Sequence, residues 1–234
     1  MPESVVHPVC LSVVSHGQRR LLADLLGDLA GMRRPAELVV TDNLPESQPL
    51  PPLPGLQRRS NPRPLGFAEN HNRALGQTGQ PWLAVVNPDI RLPEDPFPAL
   101  LGCFSDPTVG VVAPRVLAPD GRLEDNARRF PGFNDLVRKA MGGDDGRYTV
   151  DGDAPQPVDW AAGMFLLIRA EAFRAVSGFD PAYHLYYEDV DLCARMWRSG
   201  WRVVLHPGVT VVHHARRSSR RHWRYMLWHA RSMA

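Results

Sequence analysis

The chain is expected to fold as an α/β domain with a mostly parallel central sheet flanked by helices. Short apolar runs rich in valine alternate along it with stretches whose leucines recur every three or four residues. That alternation builds a parallel sheet covered on both faces. At 234 residues the chain suits one large domain with a single substantial core better than two independent ones.

The elements follow in order. VCLSVVS (9–15) reads as a strand, Leu21, Leu22, Leu25, Leu26 and Leu29 mark a helix, and ELVVTDN (37–43) completes a β-α-β opening. A proline-rich loop, LPESQPLPPLPG (44–55), comes next. FAENHNRALGQ (67–77) reads as a helix, WLAVVNPD (82–89) as a strand ending in a turn, and VGVVAPRVL (109–117) as a further strand. Residues 118–157, rich in Asp, Gly and Arg with weak periodicity, are expected to form loops and short helices over the sheet. WAAGMFLLIRA (160–170) then reads as one strand, followed by a short helical stretch and the turn SGFDP (177–181). A helix beginning in YYEDVDL (186–192) and two short strands, WRVVLHP (201–207) and VTVVHH (209–214), close the pattern. Ligands of such sheets lie beyond the carboxyl ends of the strands. Ser15, Asp42 and Asp89 near three of those ends are therefore candidates for one shared crevice.

Charge is small overall but unevenly placed. Six arginines, Arg216, Arg217, Arg220, Arg221, Arg224 and Arg231, fall in the last 19 residues without an acid, so a net charge of +2 leaves about −4 for the rest. Cys10, Cys103 and Cys193 are far apart and lack a Cys-x-x-Cys pair, which points to reduced, buried thiols in a cytoplasmic protein. MPESVVHP has no basic residue and is broken by His7 and Pro8, so no export signal is expected. The longest uncharged apolar run, WAAGMFLLI, suits a buried strand and not a membrane span.

YYEDVDLCAR concentrates three carboxylates at the start of a helix. At 100° per residue, Glu188, Asp191, Arg195 and Arg198 share one charged stripe, whose simplest form is a solvated, salt-bridged face. Asp189 projects instead beside Leu192, Cys193 and Met196. Its position suits either a charge at the helix N-terminus or a carboxylate at the mouth of a cleft, poised as a general base.

The ordered series NPRPLGFAENHNRAL, VVNPDIRL, WAAGMFLLIR and SGFDPAYHLYYEDVDLCARMWRSGWRVVLHPGVTVVHH resembles family 2 inverting glycosyltransferases, in the rhamnosyltransferase-like branch. The resemblance runs from about residue 9 to about 218. It implies a GT-A (Rossmann-like) fold with a nucleotide-sugar-binding half over about 1–114 and an acceptor half over about 115–215. It also implies a nucleotide-sugar donor, with dTDP-L-rhamnose first and a UDP-sugar such as UDP-galactofuranose second. The acceptor is expected to be a saccharide, usually one carried on a polyprenyl diphosphate at the cytoplasmic face of the membrane.

Residue by residue, the resemblance implies that Asp42 accepts the imide N–H of uracil or thymine, as an acceptor-only carboxylate can; by position alone it is equally a turn residue after a strand. NPD stands where the family has an Asp-x-Asp motif. Asp89 would then be a ligand of Mg²⁺ or Mn²⁺ bridging the diphosphate, with Asn87 in place of the other acid. His213 would approach the metal or diphosphate, although a strand-end histidine is often structural. Ser15, Gly66, Phe67, Asn70 and Asn72 would lie near the donor. Trp160, Gly163, Phe179 and Asp180 would shape the acceptor side. Asp189 would be the base and Glu188 would orient it or the acceptor. One departure is that Asn43 runs into Leu44 and Pro45, where relatives continue with small polar residues.

Two other functions fit less well. A sugar-nucleotide pyrophosphorylase needs a glycine-rich phosphate loop that SHGQRR does not supply. A nucleic-acid-binding module would be suggested by the arginines of the tail, but no matching motif accompanies them. On a helical projection of 219–234, Trp223, Met226, Leu227, Ala230, Met233 and Ala234 form an apolar stripe flanked by arginines, with Trp228 among the latter. This basic amphipathic helix (216–234) is expected either to dock on the domain or to bind an anionic membrane peripherally. The sequence carries no signal of oligomeric state.

Overall fold

In the computed structural model, nine strands join into one sheet in the order β3-β2-β1-β4-β10-β6-β11-β5, with β8 paired to β11. The structure describes residues 6–33, 35–130, 148, 152–183 and 185–214. The tail expected to form an amphipathic helix lies outside these residues, as does much of 118–157. The strands are β1 (His7–Ser15), β2 (Pro35–Asp42), β3 (Leu56–Ser60), β4 (Trp82–Val86), β5 (Ile90–Arg91), β6 (Val109–Leu117), β7 (Ala127–Arg128), β8 (Gln156–Pro157), β9 (Trp160–Ala161), β10 (Phe165–Arg169) and β11 (Arg202–His213). The helices are α1 (Arg19–Ala30), α2 (Phe67–Leu75), α3 (Phe97–Gly102), α4 (Ala170–Ala175) and α5 (Glu188–Arg198).

Strand direction decides where a ligand can sit. β1 runs parallel to β2 and β4, and β2 to β3. β10 is antiparallel to both β4 and β6, and β6 is parallel to β11. Six strands, β1, β2, β3, β4, β6 and β11, therefore share one direction, as expected for a mostly parallel sheet, and β10 is inserted against them. The carboxyl ends of those six and the start of β10 meet at one rim.

The alternation of side chains across a strand sorts the core into two layers. Val9, Leu11 and Val13 of β1 pack with Leu22, Leu25, Leu26 and Leu29 of α1 and with Phe97 and Leu100 of α3. Cys10 faces the other way, into a layer built with Ala68 and Leu75 of α2, Phe173 of α4, and Leu192, Cys193 and Met196 of α5. The heptad-like spacing of the α1 leucines thus serves burial, each fully buried leucine contributing about 1.5–3 kcal/mol. The described cysteines are all free; burial raises the Cys10 thiol to about 11 and the Cys193 thiol to about 12.

Three elements differ from the sequence expectation. The run at 160–170 is not one strand, because Ala162–Met164 interrupt it between β9 and β10. The two closing strands are one, β11, whose register slips between His206 and Thr210 around Pro207, which has no N–H for the ladder. LQRRS forms the edge strand β3, a pairing hidden by its mostly polar residues.

Candidate active site

The rim is built from turns that its strands cannot avoid. After β4, Asn87 N–H donates to the Met164 carbonyl at 2.9 Å and Ile90 N–H to the Asn87 carbonyl at 3.2 Å. This closes NPD into a tight turn that leaves Asp89 buried. Asp89 Oδ1 has no hydrogen-bond partner among the described residues. His213, at the end of β11, brings Nε2 to 3.4 Å from that oxygen. Its other nitrogen, Nδ1, lies 3.1 Å from Glu124 Oε2. Burial works to lower the His213 pKa, but the carboxylates of Asp89 and Glu124 outweigh it and hold it above the ordinary value. Neighbouring His214 gives only its backbone, its N–H donating to the Asp89 carbonyl at 2.8 Å. Among the described residues no cluster of three His, Cys, Asp or Glu could hold an ion by itself. Asp89 and His213 are a pair that would need ligand oxygens to complete a coordination shell.

One residue before Met164, Gly163 donates its N–H to Asp189 Oδ2 at 2.9 Å. Asp189 Oδ1 also accepts the N–H of Val190 at 2.9 Å, in the first turn of α5. Burial raises the Asp189 pKa, and these backbone donors oppose the rise. Glu188 departs from the expected solvated stripe: it is 5% exposed, with Oε2 buried and unpartnered among the described residues. Burial, then the Asp189 charge, pushes its pKa up to about 8. The cause lies in the chain before the helix, where Tyr186 and Tyr187 both take left-handed backbone, φ 72° and 70°. Such conformations strain a side chain-bearing residue by about 1–3 kcal/mol each. They turn the first residue of α5 inward. Asp191 and Arg195 do form the expected surface pair, at 2.6 Å.

Of the residues expected on the acceptor side, Gly163 bonds Asp189 and the others lie in differing surroundings. A Cβ on Gly163 would lie 3.0 Å from the Phe67 ring, so only glycine lets α2 come this close. Phe67 meets Phe179 edge to face at 5.6 Å, and Phe179 is fully buried, a packing residue beneath the site and not a wall of it. Asp180 is exposed and accepts the Ala182 N–H at 2.9 Å. Trp160 is half-buried, with its indole N–H on the Arg129 carbonyl at 3.2 Å.

At the ends of β1 and β2 the residues expected near the donor form an ionic cluster. Asp42, 1% exposed, accepts from Arg19 Nη2 at 2.9 Å and from Arg58 Nε at 2.6 Å. Ser15 donates to Glu46 of the proline-rich loop at 2.6 Å, and Glu46 also pairs with Arg19 at 3.2 Å. Asn70 and Asn72 are structural where they stand. Asn70 donates to the Leu65 and Gly66 carbonyls at 3.2 and 2.9 Å, and Asn72 clasps the Phe179 backbone through both ends of its amide, at 2.7 and 2.9 Å. Arg19, Glu46, Arg58 and Glu124 were not singled out from sequence. The strand ends flag Arg19 only by proximity to Ser15, and Glu124 lies in the stretch without periodicity.

Comparison with known proteins follows the same lines. The pattern of the glycosyl transferase family group 2 matches residues 82–230. An N-acetylglucosaminyl-diphospho-decaprenol L-rhamnosyltransferase of Mycobacterium tuberculosis is 32% identical over 218 residues, covering 80% of this chain and 69% of the relative. The rhamnosyltransferase WbbL of Escherichia coli is 27% identical over 241 residues, covering 96% and 90%. In fold, the chain resembles GalNAc-T7 solved with UDP, GalNAc and Mn²⁺, with a TM-score of 0.69 and 16% identity over 89% of this chain and 43% of that one. It also resembles the mannosyltransferase PcManGT of Pyrobaculum calidifontis solved with GDP-Man and Mn²⁺, with a TM-score of 0.62 and 17% identity over 99% and 63%. The chain thus spans less than half of the first of these structures. Among the described residues no helix is long and apolar enough to cross a membrane.

Proposed function

This chain belongs to glycosyl transferase family group 2 and is a glycosyltransferase of the rhamnosyltransferase-like kind; we propose that it moves L-rhamnose from dTDP-L-rhamnose to a hydroxyl of a saccharide on a polyprenyl diphosphate, inverting the anomeric carbon. The observation that carries this reading is the pair Gly163–Met164, bonded through its N–H to Asp189 and through its carbonyl to the NPD turn. This supports a reading in which Asp189 serves as the base beside a leaving-group site at the NPD turn.

Asp189 takes the proton of the acceptor hydroxyl while that oxygen forms its bond to the anomeric carbon. The bond from this carbon to the diphosphate oxygen breaks, and its electron pair leaves with the nucleoside diphosphate. The N–H groups of Gly163 and Val190 favour the ionised form of Asp189 against burial, which raises its pKa, and aim the carboxylate. A divalent cation, when bound, would neutralise charge gathering on the leaving diphosphate. Asp89 and His213 would hold Mg²⁺ or Mn²⁺, and the buried Asp89 oxygen that faces His213 at 3.4 Å, without a hydrogen bond among the described residues, fits that role. Asp42 would accept the imide N–H of the base, since each carboxylate oxygen can accept more than the one arginine bond it has. The relative from M. tuberculosis, named for a decaprenyl-diphosphate acceptor, supports a lipid-linked acceptor and work at a membrane surface.

A thermal-shift panel of nucleotide sugars with and without Mn²⁺ tests the donor. Binding to the native state raises the midpoint by mass action. The largest Mn²⁺-dependent shift is expected with dTDP-L-rhamnose; a larger shift with UDP-galactofuranose would move the reading to a UDP-sugar. Pyrophosphate-dependent exchange without glycosyl transfer would overturn it.

A further inference from the structure

Glu124 reaches His213 by a tight return of the chain at the end of β6. Ala118 N–H donates to the Arg122 carbonyl at 2.8 Å and Gly121 N–H to the Ala118 carbonyl at 2.9 Å, with Gly121 at φ 79°. The Glu124 N–H then closes on the Val116 carbonyl at 2.9 Å. Two residues on, Asn126 bonds through its side chain to the Pro114 carbonyl at 2.8 Å and through its carbonyl to the Ala162 N–H at 2.9 Å. Glu124 is therefore held on a frame tied both to β6 and to the segment that carries Gly163.

An imidazole has two nitrogens, and a carboxylate can only accept. With Glu124 Oε2 at 3.1 Å, the proton of a neutral His213 ring belongs on Nδ1, and the Nε2 lone pair turns toward Asp89. Asp89 Oδ1, buried and without a hydrogen bond, faces it at 3.4 Å. Two lone pairs directed at one another repel, so the gap between them takes a positive charge: a second ring proton when the ring is an imidazolium, or a metal ion when one is bound. We propose that Glu124 is a positioning residue that fixes the ring and tautomer of His213 so that Nε2 and Asp89 together face one divalent cation. The proposal rests on the reading of Asp89 and His213 as the metal-holding pair, and it adds a residue that contacts neither ion nor substrate. Carboxylates that fix a ligand histidine typically govern metal affinity by 10- to 100-fold.

The test is Mn²⁺ binding to the full chain in the presence of dTDP, read from the loss of the free-ion paramagnetic resonance signal. Glu124→Ala should weaken Mn²⁺ by roughly 10- to 100-fold, whereas Glu124→Gln, which keeps an acceptor oxygen, should recover most of the affinity. Glu124→Ala added to His213→Ala should cost nothing further. Unchanged affinity in Glu124→Ala while His213→Ala binds weakly overturns the positioning role alone. Equal losses in Glu124→Ala and Glu124→Gln also overturn it, because charge and not orientation would then matter. Full affinity in both His213→Ala and Asp89→Ala overturns the metal-pair reading and this inference with it. The ring nitrogen shifts of His213 in metal-free protein give a measure independent of binding and of any loss of stability. Protonation at Nδ1 is expected in the neutral wild-type ring, and the same tautomer undiminished in Glu124→Ala refutes the inference.

Discussion

Glu188 and Asp189 are adjacent in sequence and burial raises the pKa of both. Asp189 is met by the N–H groups of Gly163 and Val190, whereas Glu188 Oε2 is buried without a hydrogen-bond partner among the described residues. Asp189→Asn should keep the fold and donor affinity but cut turnover by about 10²- to 10⁴-fold, the usual scale of general-base loss; single-turnover kinetics checks it, and wild-type rates would remove Asp189 as base. For Glu188 the sign follows from linkage. Its folded pKa of about 8 lies above the ordinary 4.5, so its stabilising contribution is complete below about pH 4.5 and is lost as pH rises through about 8. Glu188→Gln cannot ionise, so it should melt above wild type at pH 8 by a margin that shrinks toward pH 5, as thermal unfolding across that range would show. Asp189 was legible from a helical projection, since it falls beside Leu192 and Met196. The burial of Glu188 was not, because the projection knows the helix but not the two left-handed tyrosines that aim its first turn. Asp42 was legible as a strand-end acid, but its arginine partners come from a helix and an edge strand that only folding brings together.

Between elements, the most specific tie outside the site joins α1 to β5. Asp28 accepts two bonds from Arg91, at 2.7 and 2.6 Å, and the Leu92 N–H at 3.0 Å. Burial alone would raise its pKa, but the guanidinium and the backbone donor outweigh this and hold it below the ordinary value. Asp28→Ala should cost about 1.5–3 kcal/mol at neutral pH, a loss that fades as pH falls through the carboxylate range and Asp28 in wild type protonates; urea unfolding at pH 7 and pH 3 would measure it. Gly163→Ala tests the close approach of α2, since the new methyl must displace the Phe67 ring or the strand entry that holds Asp189. It should lower turnover together with stability, by about 1–3 kcal/mol for the latter, and Phe67→Leu in the same chain should restore part of both. At this scale the strands of apolar sequence were readable from alternation and valine content. β3 was not, since an edge strand needs no apolar run, and the break at Ala162–Met164 was masked because its residues are as apolar as the strand they interrupt.

For the whole molecule, the alternation of strands and helices was the most legible feature and the most consequential one. A chain of alternating β and α elements puts its strand ends on one rim, and Ser15, Asp42 and Asp89 were placed there on that ground alone. The reversed strand β10 was invisible, since direction leaves no trace in a single apolar run. Yet β10 is what delivers a strand beginning, rather than a strand end, to the middle of the rim. From it comes the succession of Gly163, bonded to Asp189, and Met164, bonded to the turn that carries Asp89. Consecutive α-carbons across a trans peptide are about 3.8 Å apart, a length that no side-chain motion can alter. That peptide acts as a ruler: it fixes the backbone distance between the anchor of Asp189 and the anchor of the NPD turn, and under the proposed function a donor whose sugar is longer or shorter than this gauge would meet one of the two carboxylates out of step.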